Sequence, residues 1–208
     1  LKALAEVFAR HPQVFIISDE IYEHINFTPG GHTSIAEFPE VYPQTIVVNG
    51  LAKAYAMTGW RIGYTAGPLN VIKAMSSLQS QVASGSNSIA QYAAEEALRS
   101  PKGREAIERM HRAYDERRRH IVQRLNAIDG LTCVMPKGAF YVMAKLPVDD
   151  TDKFQTWLLT EFSDNNETVM YAPGNGFYAT PGHGVNEVRL AYVLKCEDIE
   201  LSLIHISE

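Results

Sequence analysis

The chain alternates short apolar runs with stretches whose apolar residues recur at three- and four-residue steps. Leu1-Lys2-Ala3-Leu4-Ala5-Glu6-Val7-Phe8-Ala9 carries the period of an amphipathic helix already under way. His11-Pro12-Gln13 breaks it, and Val14-Phe15-Ile16-Ile17 reads as a strand buried on both faces, as in a parallel sheet. Residues 26–43 are rich in turn formers and predict a surface loop with little periodicity. Thr45-Ile46-Val47-Val48 is the next strand, and residues 61–67 are another, ended by Pro68. Residues 69–98 are expected to be largely helical, with a small, polar break at Ala83-Ser84-Gly85-Ser86-Asn87-Ser88. Ser100-Pro101 restarts a helix, on which Ile107, Met110, Tyr114, Ile121, Leu125 and Ile128 form a single apolar stripe. After Asp129-Gly130 come a strand at residues 131–135 and a turn into another at 136–142. A helix marked by Phe154, Trp157, Leu158 and Phe162 follows, then a strand and turn at 169–174 and a last strand at 186–192.

Strands alternating with helices place the chain in the α/β class. A length of 208 residues with 46% apolar composition is enough to bury a sizeable core. The formal charge of -5 argues against general binding to nucleic acid or to an anionic membrane, both of which need a positive field. No apolar run approaches the length of a membrane span, and the N-terminus lacks the pattern of a signal peptide. Cys133 and Cys196 are only two and far apart, which favours free thiols in a reducing, cytoplasmic setting.

The candidate chemistry begins at Asn49-Gly50-Leu51-Ala52-Lys53-Ala54-Tyr55-Ala56-Met57-Thr58-Gly59-Trp60-Arg61-Ile62-Gly63-Tyr64. One lysine stands among small residues just after a strand, and Arg61 follows between two glycines. Small neighbours let a ligand approach the backbone, and a guanidinium suits phosphate. Each residue alone is an ordinary surface cation. Asp19 and Tyr22 follow the first strand, and in open α/β sheets ligands sit at the carboxyl ends of strands. Local signals alone favour a turn or helix-cap role for Asp19, and Glu20 and His24 read as surface positions. Arg117-Arg118-Arg119-His120, flanked by Asp115 and Glu116, reads as a solvated helix face with i,i+4 pairs. Arg189 sits inside the apolar run Val188-Arg189-Leu190-Ala191-Tyr192, where a buried guanidinium needs an anion, from a carboxylate of the chain or from a ligand. A dinucleotide fingerprint is absent, and no metal site is expected.

The run from Gly50 to Gly63 resembles the lysine signature of the pyridoxal-phosphate-dependent class I/II aminotransferases of fold type I, most closely the aspartate-aminotransferase-like branch. Asp19-x-x-Tyr22, the Pro136-Lys137-Gly138-Ala139-Phe140-Tyr141 hairpin and Val188-Arg189-Leu190-Ala191-Tyr192 match further segments of that family. The resemblance implies pyridoxal 5'-phosphate as cofactor and Lys53 as its Schiff-base lysine. It implies that Asp19 pairs with the pyridine nitrogen, Tyr22 donates to the phenolic oxygen, Arg61 holds the phosphate and Arg189 takes the substrate's α-carboxylate. It reverses the local preference for Asp19 as a mere turn residue. The implied activity is transamination between an L-amino acid, aspartate foremost, and 2-oxoglutarate, by a homodimer when full length.

The resemblance spans nearly the whole chain but only the C-terminal half of the family. Residues 1–100 then correspond to part of a large domain with a mixed, mainly parallel sheet. Residues 101–208 correspond to a smaller α+β domain, entered by a connecting helix at 101–128. Both ends look cut, residues 201–208 read as a non-native tail, and a chain of this length is expected to be a poor enzyme alone. The break at 83–88 is either a loop at the subunit boundary or a simple turn. A lyase or decarboxylase of the same fold would share Lys53, Asp19 and Arg61. An effector-binding domain of a transcription regulator, or a plain structural module, are readings of other classes.

Overall fold

In the computed structural model, which describes residues 1–200, the chain divides into two compact units, Leu1–His111 and Arg112–Glu208. The expected non-native tail at 201–208 lies outside the described residues.

The first unit holds a mixed three-stranded sheet in the order β1-β2-β3. β1 (Ile16–Asp19) runs parallel to β2 (Thr45–Gly50), and β3 (Gly63–Ala66) returns antiparallel to β2. β1 departs from the expectation of a strand buried on both faces. Ile16 is buried, with Ala5 from α1 (Lys2–Phe8), Ile35 and Val41, but Ile17 is 72% exposed and Phe15 56%. Side chains alternate faces along a strand, and this cluster covers only one of them.

The turn-rich stretch at 26–43 is better ordered than its composition suggests. Ser34 caps a 3-10 turn, Ile35–Glu37, with a capping box, and a second turn spans Tyr42–Gln44. Ile35 and Val41 are buried, so this stretch supplies core that a surface-loop reading missed. α2 (Leu69–Ala83) and α3 (Ser88–Arg99) flank the expected break, where Ser84 is left-handed and the Asn87 side chain accepts from the Ala90 N–H.

α4 (Pro101–Leu125) starts after Ser100, whose Oγ accepts from the Gly103 N–H at 3.2 Å. The helix ends at Leu125, so the apolar stripe continues to Ile128 outside it. The boundary between the units falls inside α4, after His111, whose Nε2 lies 3.0 Å from the Asn26 carbonyl oxygen.

The second unit contains an antiparallel sheet in the order β4-β5-β7-β6. Its strands are β4 (Thr132–Cys133), β5 (Tyr141–Lys145), β6 (Ala172–Pro173) and β7 (Glu187–Ala191). β6 is only two residues long, although Val169 and Tyr171 before it are buried. α5 (Thr151–Thr160) is capped by Asp150, whose carboxylate accepts from the Asp152 and Lys153 N–H groups.

In register, Val142 faces Leu190 and Ala144 faces Val188, and all four are buried. Tyr141, Met143 and Lys145 therefore share the opposite face with Glu187, Arg189 and Ala191. The basic run of α4 is less solvated than expected. Arg118 is nearly buried, pairs with Asp115 and donates to the Pro136 carbonyl at 2.7 Å, and Arg117 donates to the Val193 carbonyl. Both cysteines are free. No helix of the described residues is long and apolar enough to cross a membrane.

Candidate active site

Residues 51–62 form the loop that joins β2 to β3. Its base is narrow because Gly50 and Gly63 are register partners. A Cβ on Gly63 would stand 2.9 Å from the Asn49 carbonyl oxygen, and one on Gly50 would stand 3.0 Å from the Gly63 Cα. The loop is anchored by Leu51 and Met57, buried with Ala94 of α3. The Leu51 carbonyl accepts from the N–H groups of both Tyr55 and Met57. Anchored on either side, Lys53 is half-buried, and its Nζ lies 6.0 Å from the centroid of the Tyr22 ring.

Tyr22 reaches this position through the turn that leaves β1. The Glu20 N–H still donates to the Val48 carbonyl, which extends the parallel pairing by one residue. Asp19 is exposed and accepts from the Ile21 N–H at 3.2 Å, the turn role that local sequence suggested. Ile21 in turn lies over the end of β2, with its Cδ1 3.4 Å from where a Gly50 Cβ would stand. Asp19 and Tyr22 thus come from the carboxyl end of β1, and Lys53 follows the carboxyl end of the adjacent strand.

Glu20 corrects the expectation of a surface position. It is 8% exposed and accepts from Ser34 Oγ at 2.6 Å and Ser18 Oγ at 3.0 Å, with His32 Nε2 3.0 Å away. Burial pushes its carboxyl up, but the bonds from Ser34, His32 and Ser18 and the charge of His32 outweigh it and hold Glu20 below the ordinary carboxylate value. Glu20 therefore ties the exit of β1 to the loop at 32–34. Glu20, Glu23 and His32 offer three ligand atoms within 4.8 Å of one another, and both oxygens of Glu20 lie within hydrogen-bond distance of these partners. His24 is half-exposed beside Glu23. Burial first, then the Glu23 carboxylate, raise the phenols of Tyr55 and Tyr64, which keeps both protonated.

Arg61 is exposed and left-handed, with φ 52°, and its Nη1 donates to the Thr58 carbonyl at 3.1 Å. Ala56 in the same loop has φ 53°. A left-handed non-glycine residue costs on the order of 1–2 kcal/mol, so the packing of the loop ends must hold both. Arg61 lines a cleft of 730 Å³ together with Trp60, Gln79, Ser86 and Asn87, and Lys53, Asp19 and Tyr22 are not in its lining.

Arg189 belongs to the second unit. It is half-exposed on β7, where a buried position was expected, because Val188 and Leu190 take the core face and leave it the other. Its Cζ lies over the rings of Tyr141 and Phe177, 4.4 Å from each centroid. The sequence reading did not single out Phe177. Its only local signal is an aromatic residue in a glycine-rich loop, and nothing in the spacing ties it to Arg189.

The sequence profile "Aminotransferase class I and II" matches residues 1–198. Aspartate aminotransferase of Geobacillus stearothermophilus is 42% identical over 99% of this chain and 51% of its own length. Aspartate/prephenate aminotransferase of Cereibacter sphaeroides is 50% identical over 68% of this chain and 35% of its own. Among solved structures, an aromatic aminotransferase from Pyrococcus horikoshii aligns with TM-score 0.87 and 34% identity, covering 99% of this chain and 53% of that one. The aspartate aminotransferase from Rhizobium meliloti aligns with TM-score 0.85 and 36% identity, covering 99% and 52%. The chain spans about half the length of the Geobacillus relative and of both structures. With a profile match over nearly all its residues, the chain belongs to the class I and II aminotransferases, a family of pyridoxal-phosphate-dependent enzymes.

Proposed function

We propose that the protein transfers the amino group of an L-amino acid, aspartate foremost, to 2-oxoglutarate with pyridoxal 5'-phosphate as cofactor. The observation that carries this reading is the approach of Lys53 Nζ to the Tyr22 ring, 6.0 Å from its centroid, at the carboxyl ends of two adjacent strands. The residues around that point fit the cofactor's chemistry. An amine for its aldehyde, a phenol for its ring oxygen and an exposed carboxylate for its ring nitrogen leave the two turns that follow β1 and β2. A guanidinium for its phosphate ends the same loop as the lysine.

When bound, pyridoxal phosphate supplies an aldehyde that condenses with amines and a ring that accepts the electron pair left when a Cα–H bond breaks. The Asp19 carboxylate would favour a protonated ring nitrogen through the attraction of opposite charges at contact. Tyr22 Oη donates a hydrogen bond that orients the ring oxygen. Arg61 holds the phosphate dianion by charge-assisted hydrogen bonds. Lys53 Nζ would take the proton from the substrate's Cα as base and hand it back as acid. Arg189 fixes the α-carboxylate, and its planar fork suits a carboxylate better than an ammonium does.

The active protein is proposed to be a cytoplasmic homodimer. Exposed apolar side chains along α2 and α3, among them Leu78, Val82, Ile89 and Tyr92, support assembly, and two free thiols support a reducing compartment. The test is glutamate formation from aspartate and 2-oxoglutarate by the protein at the full length of its relatives, with the cofactor supplied. Transfer that depends on both substrates and vanishes in Lys53→Ala is expected. Aspartate consumption without any need for the oxoacid indicates a lyase and overturns the reading. The 208-residue chain alone is expected to transfer slowly.

A further inference from the structure

Among the described residues, no carboxylate or carbonyl accepts a hydrogen bond from the Arg189 guanidinium; its partners are the rings of Tyr141 and Phe177. Glu187, two positions before it on the same strand face, is the carboxylate that could have paired with it. That carboxylate is held instead by the Tyr178 hydroxyl, which donates to Glu187 Oε2 at 2.5 Å.

The loop that carries Phe177 and Tyr178 is pressed onto β7 at its base. The Gly174 N–H donates to the Glu187 carbonyl at 2.7 Å, and a Cβ on Gly174 would stand 2.7 Å from the Glu187 Cβ. The Phe177 N–H then donates to the Gly174 carbonyl and closes the 3-10 turn Asn175–Phe177. The far end of the loop is tight as well, since Gly184 has φ +69° and a Cβ there would stand 2.5 Å from the Tyr178 ring.

We propose that Tyr141 and Phe177 are positioning residues for the substrate's carboxylate: they hold the plane of the Arg189 guanidinium so that its N–H edge is ready for a planar carboxylate of an amino or oxo acid. The proposal rests on the assignment of Arg189 to that carboxylate. An arginine is a long arm that loses rotamer freedom when it must present its donors in one plane. Rings already stacked on the guanidinium impose that loss before the ligand arrives, so binding does not bear it. Each ring also attracts the cation through its quadrupole without consuming a single N–H donor. Tyr178 supports the arrangement by keeping the neighbouring carboxylate occupied.

The experiment is a titration of the protein at the full length of its relatives, with the cofactor supplied, by 2-oxoglutarate, followed through the Nε–Hε resonance of Arg189. In the unaltered protein that resonance is expected upfield of a free arginine, because the protons lie over two rings, and it moves as the oxoacid binds. Phe177→Leu and Tyr141→Leu are each expected to reduce the upfield displacement and weaken binding by about 3- to 30-fold. Phe177→Tyr is expected to keep the displacement and bind within about twofold of the unaltered protein, since another aromatic ring restores the contact. Unchanged amide resonances in β5 and β7 show that the sheet is intact in each variant. If both leucine variants bind as the unaltered protein does while Arg189→Gln loses the ligand, the two rings have no positioning role and the carboxylate assignment stands. If Arg189→Gln also binds as before, or the unaltered protein does not bind, the carboxylate assignment itself has failed and the positioning role falls with it.

Discussion

Gly50 and Gly63 face each other across β2 and β3, where a Cβ on Gly50 would stand 3.0 Å from the Gly63 Cα and one on Gly63 would stand 2.9 Å from the Asn49 carbonyl oxygen. That contact closes the base of the loop carrying Lys53 and Arg61, so the separation of the two cations along the chain becomes a fixed arrangement on one loop. The glycines at these two positions of the motif are required by backbone approach.

Gly63→Ala is expected to destabilise the first unit by about 1–3 kcal/mol, because the new methyl group meets the Asn49 carbonyl oxygen at 2.9 Å and backbone must shift to admit it. Chemical denaturation measures the loss. Pyridoxal phosphate binding should fall in the same variant, while Gly59→Ala, where a Cβ meets nothing within 4 Å, should leave both nearly unchanged.

Arg61→Lys is expected to weaken cofactor binding by at least about tenfold although the charge is kept, since an ammonium cannot present two parallel donors to a phosphate. Spectrophotometric titration with pyridoxal phosphate checks this. Pyridoxal, the dephosphorylated form, should bind the variant and the unaltered protein alike.

Glu20 makes stability depend on pH at the acid end. Its folded value lies below the ordinary value of about 4.5, so the unfolded chain binds the proton first as pH falls. The stability it contributes is complete above about 4.5 and is lost as pH drops through the lower, folded value. Urea denaturation across that window should show a fall in stability that Glu20→Gln makes shallower.

Gly103→Ala is expected to cost about 1–3 kcal/mol or more, against the rule that alanine strengthens a helix. A Cβ there would lie 1.9 Å from the Ala97 carbonyl oxygen, so α3 and α4 would have to part. A lower thermal midpoint is the expected result, with Lys102→Ala, an exposed neighbour in the same turn, as the near-neutral comparison.

Short-range chemistry was legible in the sequence. The break between α2 and α3, the restart of α4 after Ser100, the turn role of Asp19 and the strand-loop-strand around Lys53 each depend on residues a few positions apart, and each stands where the pattern put it. The fate of Glu20 depends on Ser34 and His32, beyond any local window. The fate of Arg189 depends on a tyrosine from β5 and a phenylalanine from a loop that glycines press onto β7. Ile17 shows the same division: its hydrophobicity argued for burial, while the face on which the chain lays its core left it exposed. By itself, the sequence determined which residues are candidates for the chemistry and which local elements hold them, because capping, turn and periodicity preferences act over a few residues. Only the tertiary structure decided which charges are buried, which stay available and which rings stand beside them, because those depend on packing between segments far apart in the chain.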